Sequence, residues 1–563
     1  MNKKIVIYQA FPRWFGNQTE KPVAGGTIKQ NGCGKFSDFS AEALSQIKAL
    51  GATHIWYTGV IEHATQTDYH RFGIKTDHPA VVKGRAGSPY AIKDYYDVDP
   101  DLAQDIPFRM KEYEQLLERT HRNGLKVIMD FVPNHVARQY YSDQQPNGTV
   151  QLGADDDRNK SFSPYNNFYY IPQTPLQCQF DMKADAAKAY MECPAKATGN
   201  DRFDAYPCRN DWYETIKLNY GIDYQNGRTC HFNPTPDTWL KMVDILLFWA
   251  AKGIDGFRCD MAEMVPVEFW NWAIPQVKEK HPDILFIAEV YNPAQYCDFI
   301  FRGHFDYLYD KVGLYDTLKA VMRGEQSATA ITSCWQSLNG IEKHMLNFLE
   351  NHDEQRIASE FFAGDARKGI PALLVSALMN TNPFMIYSGQ ALGEPGMESE
   401  GFSGRDGRTT IFDYWAVDKI RRWRNGNKFD GKKLTDAEKE LLATYTRILN
   451  ICNQETAITD GLFFDLMYVN MGGWMFNEHR QYAFLRKHER EILLVVANFD
   501  DHEADVAVNL PIHAFDFLQI PDINQIEAID LLSGKKEFIS FSPSKATNTR
   551  LPALGGKVLK ITI

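Results

Sequence analysis

The sequence has no apolar run long enough to span a bilayer, and its first segment contains only three apolar residues before polar ones follow. A transmembrane helix and a signal-peptide core both need longer runs, so we expect a soluble, cytoplasmic protein. A basic block is also missing, and 61 Lys and Arg against 72 Asp and Glu give a formal net charge of −11. Nucleic acids and anionic membranes require clustered basic residues, so neither is expected as a partner.

Cysteine is scarce, and its spacing fits no metal site. The nine Cys among 563 residues are an odd number, which predicts reduced thiols. Cys178, Cys193, Cys208 and Cys230 fall in one region, so the alternative is a disulfide pair there. The sequence also shows no internal repeat and no low-complexity tract. The length and a hydrophobic content of 44% predict two or three globular domains.

Strand-like apolar runs alternate with amphipathic helical stretches over about the first four-fifths of the chain. Eight such runs with helices between them predict an α/β fold, a (β/α)₈ TIM barrel, whose catalytic groups lie at the carboxyl ends of the strands. The predicted strands are Ile5–Tyr8, His54–Tyr57, Val127–Asp130, the run that ends at Arg258 and Asp260, Ile284–Ala288, Phe305–Leu308, Leu346–Leu349 and Phe384–Tyr387.

Two segments interrupt this alternation and predict further domains. Residues 136–233, which follow strand three, are rich in Asn, Asp, Tyr and Pro without helical periodicity, so we interpret them as an inserted subdomain B. The capping-box sequence from Thr435 to Glu438 opens a last helix, and short apolar runs follow it. We therefore assign residues 1–135 and 234–454 to the catalytic barrel and residues 455–563 to a C-terminal all-β domain, a β-sandwich.

Arg258 and Asp260 stand two residues apart at the end of one predicted strand. Side chains alternate faces in a strand, so both project from the same face, and the guanidinium favours the ionised carboxylate. Glu289 ends the next predicted strand and has an apolar flank, which favours its protonated form. An ionised carboxylate opposite a protonated one is what displacement at a sugar carbon needs. A structural salt bridge is the alternative for the Arg258 and Asp260 pair alone.

Four motifs fall at the ends of predicted strands. They are Asp130-Phe-Val-Pro-Asn134-His135, Gly256-Phe-Arg258-Cys-Asp260, Ala288-Glu289-Val290 and Phe348-Leu-Glu-Asn-His352-Asp353. Singly, each has a structural explanation as a salt bridge, a buried histidine or a helix cap. Together and in this order they resemble the conserved regions of the α-amylase family of retaining glycoside hydrolases.

This resemblance implies roles for the matching residues. Asp260 would be the nucleophile, Glu289 the acid and base, and Asp353 the third carboxylate, which holds sugar hydroxyls. Four more residues would orient the nucleophile or bind the reacting sugar: Arg258, His135, His352 and Tyr90, the last as a stacking platform unless it is a plain packing residue. Asp130 would support Arg258 from below.

The sequence departs from many α-amylases at two places. Glu263 and Met264 stand where a Lys-His pair follows the nucleophile, so the Lys that would hold the sugar on the leaving side is absent. Lys217-Leu-Asn219 resembles the neopullulanase and cyclomaltodextrinase branch, and Lys217 occupies the place of a calcium ligand. We therefore expect no cofactor and no conventional structural calcium, with Lys217 bonded to Asn134 or nearby carbonyls. The alternative is that Lys217 points to solvent.

The resemblance implies cleavage of α-1,4-glucosidic bonds in maltooligosaccharides or related α-glucans, with retention. A transglycosylase on the same substrates is one alternative, and a catalytically silent carbohydrate-binding accessory protein is another. The three carboxylates favour an enzyme. The sequence leaves open the exact substrate, endo or exo action, and the oligomeric state.

Overall fold

The eight predicted strands form one closed parallel barrel in the computed structural model, which describes residues 3–399, 401–402 and 404–563. Each strand pairs with its neighbours in the chain, and β8 closes the barrel on β1 with Phe384 opposite Val6. The predicted (β/α)₈ architecture is confirmed. The strands are β1 (Val6–Ala10), β2 (His54–Tyr57), β3 (Lys126–Phe131), β4 (Gly256–Cys259), β5 (Leu285–Ala288), β6 (Tyr307–Tyr309), β7 (Met345–Phe348) and β8 (Phe384–Tyr387).

Every second residue of the strands points into the barrel, where large apolar side chains fill the interior. Seven strands supply this cluster, which consists of Ile7, Trp56, Ile128, Ile287, Tyr309, Leu346, Phe348 and Met385, joined by Tyr315. Strand β4 supplies none of it, since its alternating positions on that face are Gly256 and Arg258. Strand β4 therefore brings a cation into the barrel, beside Asp130 on the same face of β3.

Helices surround the barrel at most of the predicted places, but not after β5. Between β5 and β6 the chain makes only a 3₁₀ turn, Pro293–Gln295, and a π-helical turn, Asp298–Arg302, so the expectation of a helix there was wrong. The predicted capping box is present, because Thr435 Oγ1 accepts from Glu438 N at the start of the last long helix. The longer helices are Ala41–Ala49, Arg109–Arg122, Asp237–Ala251, Val267–Lys280, Asp316–Arg323, Ala330–Ser337, Gly369–Leu378, Asp418–Arg424 and Asp436–Gln454. Among the described residues, no helix combines the length and apolar character needed to cross a membrane.

The C-terminal part is an antiparallel β structure, as predicted. Six of its strands form one sheet in the order Leu462–Asp465, Gln481–His488, Glu491–Asn498, Gly555–Thr562, Ile523–Asp530 and Lys536–Phe541. Ala504–Val508 and Thr547–Leu551 form a separate pair. Arg486 joins the large sheet to the barrel, because its buried guanidinium donates to Met379 O at 3.1 Å.

The segment after β3 contains only short paired strands. His135–Ala137 pairs with Thr215–Lys217, Tyr170–Ile171 with Ala195–Lys196, and Ile222–Asp223 with Thr229–Cys230. All nine cysteines lie in the described part of the chain and are free thiols, so the alternative of a disulfide in this region was wrong.

Lys217 joins this segment to the barrel. Its side chain is buried, and the ammonium donates to Asn134 Oδ1 and to Met264 O at 3.4 Å. The nitrogen also lies 2.7 Å from Asp201 Oδ1. The expected contact with Asn134 is therefore present, and the alternative that Lys217 points to solvent was wrong.

These oxygens are of the kind that Ca²⁺ binds, namely an amide oxygen, a carboxylate and a backbone carbonyl. The ammonium already occupies the point on which they converge, and its charge would repel a cation. The residues present at this junction therefore do not fit a calcium ion.

Replacement of Lys217 tests this account of the junction. We expect Lys217→Met to lower the free energy of unfolding by about 1–3 kcal/mol, because it leaves buried oxygens without a partner. Denaturant unfolding measures the loss, with Lys188→Met as the control, since Lys188 is exposed in the same segment.

The second readout is the response to metal. Excess chelator should leave the melting temperature of the unmodified protein unchanged. A clear drop that added calcium reverses would contradict our interpretation of the junction.

Candidate active site

A cavity of about 350 Å³ lies at the carboxyl end of the barrel strands. It brings together five of the seven residues predicted for the site, namely Asp260, Glu289, Asp353, Tyr90 and His135. The other two, Arg258 and His352, are buried beneath it and contact residues that line it.

The register of the sheet places the first two carboxyl groups side by side. Cys259 of β4 pairs with Ala288 of β5, so the residues that follow them, Asp260 and Glu289, leave the sheet at the same level. Two backbone hydrogen bonds continue the pairing of the strands past their ends, from Asp260 N to Phe131 O at 2.9 Å and from Glu289 N to Cys259 O at 3.1 Å. The spacing follows from the strands and needs no loop to create it.

Arg258 lies between the acidic groups. Its Nη1 donates to Asp260 Oδ1 at 2.7 Å and to Asp130 Oδ1 at 3.4 Å, and its Nη2 lies 2.7 Å from Glu289 Oε2. The position of Asp130 follows from register, because it is paired directly with Arg258. The sequence predicted an action of Arg258 on Asp260 alone, whereas the guanidinium contacts Glu289 as well.

The two central carboxyl groups differ in their surroundings. Burial raises the pKa of both Asp260 and Glu289, and the charge of Arg258 opposes the rise in each. The negative charge of Asp260 additionally raises the pKa of Glu289. Since Asp260, and not Glu289, accepts a hydrogen bond from the guanidinium, we expect Asp260 to ionise first and Glu289 to retain its proton.

Asp353 and Tyr90 meet at His352. The Gln9 amide donates to His352 Nδ1 at 2.8 Å, so the ring proton lies on Nε2. That nitrogen is 2.6 Å from the Tyr90 hydroxyl and 3.1 Å from Asp353 Oδ2. Burial, followed by the charge of Glu289, raises the pKa of Asp353 to about 8.

His135 also lines the cavity. Asn134 Nδ2 lies 3.0 Å from His135 Nδ1, and the ring stands 5.2 Å from that of Trp212. Burial and the charge of Lys217 lower the pKa of His135 to about 3, so its ring is neutral. A neutral imidazole can exchange hydrogen bonds with a sugar without adding charge to the site.

Sequence reasoning missed Tyr291, Trp56 and Tyr309. The Tyr291 hydroxyl donates to Glu289 Oε1, and Arg258 Nε donates to Tyr309 Oη at 3.2 Å. Trp56 Nε1 donates to Asp130 Oδ2 at 3.0 Å. Strand alternation could have indicated Tyr291, which stands two residues after Glu289, whereas the other two depend on which strands become neighbours.

The raised pKa of Asp353 predicts a pH-dependent cost in stability. The unfolded group ionises near its ordinary pKa of about 4, whereas the folded group holds its proton up to about pH 8. Stability therefore falls as pH rises between these values, because the folded state binds more protons. We expect Asp353→Asn to remove this loss. The melting temperature of the variant minus that of the unmodified protein should therefore increase from pH 4 to pH 8.

Thermal unfolding across that range measures the effect. Asp283→Asn, at an exposed carboxylate, is the control and should show no such trend. A constant difference between Asp353→Asn and the unmodified protein at all pH values would contradict the assigned shift.

Comparison with known proteins agrees with this geometry. The family model described as the catalytic domain of α-amylase matches residues 9–461. Among curated relatives, Neopullulanase 2 of Thermoactinomyces vulgaris is 21% identical over 408 residues, covering 70% of this chain and 57% of that protein. Cyclomaltodextrinase of a Bacillus species is 22% identical over 515 residues, covering 88% and 73%. These names support the resemblance to the neopullulanase and cyclomaltodextrinase branch.

Solved structures share the fold. A maltogenic α-amylase of Thermotoga neapolitana superposes with a TM-score of 0.62 at 17% identity, covering 100% of this chain and 99% of that one. The α-amylase of Geobacillus thermoleovorans in complex with acarbose gives a TM-score of 0.64 at 18% identity, covering 100% and 98%. With four-fifths of its length matched by the family model, the chain belongs to the α-amylase family.

Proposed function

We propose that this enzyme is a retaining glycoside hydrolase that cleaves α-1,4-glucosidic bonds in maltooligosaccharides or related α-glucans through a covalent glycosyl-enzyme intermediate. The observation that carries the proposal is the convergence of Asp260 and Glu289 on one guanidinium at the wall of a cavity. The names of the curated relatives, neopullulanase and cyclomaltodextrinase, support α-glucans as the substrate class.

In the first step Glu289 protonates the glycosidic oxygen while Asp260 attacks the anomeric carbon. The bond to the leaving sugar breaks, and an ester forms between Asp260 and the retained sugar. The bond from Arg258 Nη1 fixes one oxygen of Asp260 and favours its ionised form. Glu289 supplies the proton because burial, aided by the charge of Asp260, raises its pKa.

In the second step Glu289, now ionised, takes a proton from water, which attacks the same carbon. The ester breaks, and two inversions give net retention. Two donors hold ionised Glu289 in place between the steps, Met261 N at 2.8 Å and the Tyr291 hydroxyl. They stabilise the charged form that the second step requires.

The other residues bind the reacting sugar. Asp353 and His135 line the cavity and can bond hydroxyl groups of the sugar, while Nε2 of His352 holds Asp353 in place. The Tyr90 ring lies 5.2 Å from that of His352 with an interplanar angle of 26°, which presents a face for stacking. Transglycosylation uses the same groups and differs only in the acceptor. A silent binding protein would have no need of the paired carboxyls.

Release of reducing ends from maltoheptaose tests the proposal. The unmodified protein should release them, and Asp260→Asn should lose turnover by orders of magnitude but stay folded, because Asp130 and Glu289 still pair with Arg258. Glu289→Gln should be nearly inactive on the glucan but should release fluoride from a glycosyl fluoride in its first turnover, because that leaving group needs little protonation.

Three outcomes would contradict these assignments. Activity retained by Asp260→Asn would reassign the nucleophile. A first turnover of the glycosyl fluoride by Glu289→Gln that is slowed as much as cleavage of the glucan would exclude Glu289 as the acid. Products longer than maltoheptaose in place of reducing ends would show that a sugar hydroxyl, and not water, resolves the intermediate.

A further inference from the structure

Glu214 is a buried carboxyl group that the catalytic steps do not use. It lines the same cavity as Asp260 and Glu289, it is 4% exposed, and its Oε2 has no hydrogen-bond partner among the described residues. A buried oxygen without a partner costs free energy that a ligand can recover. Because Glu214 lines the cavity, a hydroxyl group of a bound sugar can donate a hydrogen bond to this oxygen.

Lys83 is the cation beside Glu214. Burial raises the pKa of Glu214, and the charge of Lys83 opposes that rise. Lys83 lines the cavity too, and its Nζ lies 4.6 Å from the centre of the Phe412 ring. A carboxylate and an ammonium on one wall offer an acceptor and three donors, which suits neighbouring hydroxyl groups of a sugar.

The part of the cavity wall that carries Ile411 and Phe412 belongs to two segments bonded to each other. Phe412 O accepts from Ala86 N at 3.0 Å and from Gly87 N at 3.1 Å. Arg13 Nη1 donates to Ile411 O at 2.7 Å and to Gly87 O at 3.2 Å, so one buried guanidinium ties both segments together. Ile411 and Phe412 both line the cavity.

The approach of the segments depends on glycine at residue 84. A Cβ there would stand 2.3 Å from Phe412 O, and the backbone φ of +68° disfavours any other residue. The Arg85 amide adds a bond to Asp413 Oδ1 at 2.9 Å. Hydrogen bonds of the backbone therefore fix the position of the segment that carries Ile411 and Phe412.

The position of Glu289 indicates which end of the substrate meets this wall. As the acid, Glu289 faces the leaving sugar, and the chain after it continues through Asn292 to Gln295. These two residues and Glu263 line a second cavity of about 370 Å³. Because it adjoins the segment that follows the acid, we take it as the leaving-group side. Lys83 and Phe412 do not line that second cavity, so the retained part of the substrate points towards the wall.

We propose that the wall of Ile411 and Phe412 stops the glucan at its non-reducing end, and that Glu214 and Lys83 bind hydroxyl groups of that terminal sugar. The inference rests on the proposed function and adds its mode of action. The enzyme then removes short units of one length from the chain end. A cyclic glucan has no such end and cannot place one against the wall.

Maltoheptaose that carries a fluorescent label at its reducing end tests the mode of action. We expect one unlabelled product of a single length from the earliest time points, with labelled products shortened by that unit. β-Cyclodextrin should be opened about a hundredfold more slowly than maltoheptaose is cut. Unlabelled products of several lengths at the outset, or equal rates on the two substrates, would overturn the inference. A folded protein that releases no reducing ends from either glucan would instead contradict the proposed function.

Two variants test the binding groups. Glu214→Gln and Lys83→Met should each raise the KM for maltoheptaose about tenfold, equivalent to about 1.4 kcal/mol of lost binding. The value of kcat should change little, because the contact is present both in the bound substrate and in the transition state. Lys111→Met, on an exposed helical face, is the control. If Glu214→Gln unfolds, Lys83→Met carries the test, since Lys83 is only half-buried. An unchanged KM in a folded variant would overturn the assigned contact.

Discussion

The guanidinium of Arg258 is the interaction on which the catalytic centre depends. It is a charge in the interior of the barrel, 1% exposed, on the one strand that contributes no apolar side chain there. A buried cation is tolerated only when it is paired, and Asp130, Asp260 and Glu289 supply that pairing. The aromatic rings of Trp56, Tyr90 and Tyr309 lie 5.1 to 5.5 Å from it and add attraction. The carboxyl groups that the chemistry needs are thus also those that stabilise the charge.

Much of this arrangement could be predicted because it follows from strand periodicity. Residues two apart in a strand share a face, which placed Arg258 beside Asp260, and parallel strands end at one edge, which brought Glu289 next to them. The eight strands were found in the correct order because each is a short apolar run between helical stretches. The expected contact of Lys217 with Asn134 also follows from pairing, since Lys217 lies opposite His135.

The remaining features depend on tertiary contacts that no local pattern encodes. Arg258 Nη2 lies beside Glu289 because β4 and β5 are neighbours at a particular register. The sequence indicated only the contact of Arg258 with Asp260. The alternation of strands and helices predicted a helix between β5 and β6, but residues 289–306 form only short turns. The wall of the cavity joins residues 84–87 to residues 411–413, more than 300 positions apart, through bonds that join segments far apart in the sequence.

The covalent intermediate tests the central claim most directly. Glu289→Gln protein given maltosyl fluoride should form the ester with Asp260 but lack the base that hydrolyses it. Intact mass spectrometry should then show the mass of one maltosyl group added, and peptide mapping should place it on Asp260. The same treatment of a variant that also carries Asp260→Asn should add no mass. A maltosyl group found on Asp353, or consumption of the fluoride by Glu289→Gln with no adduct at any time, would contradict the account.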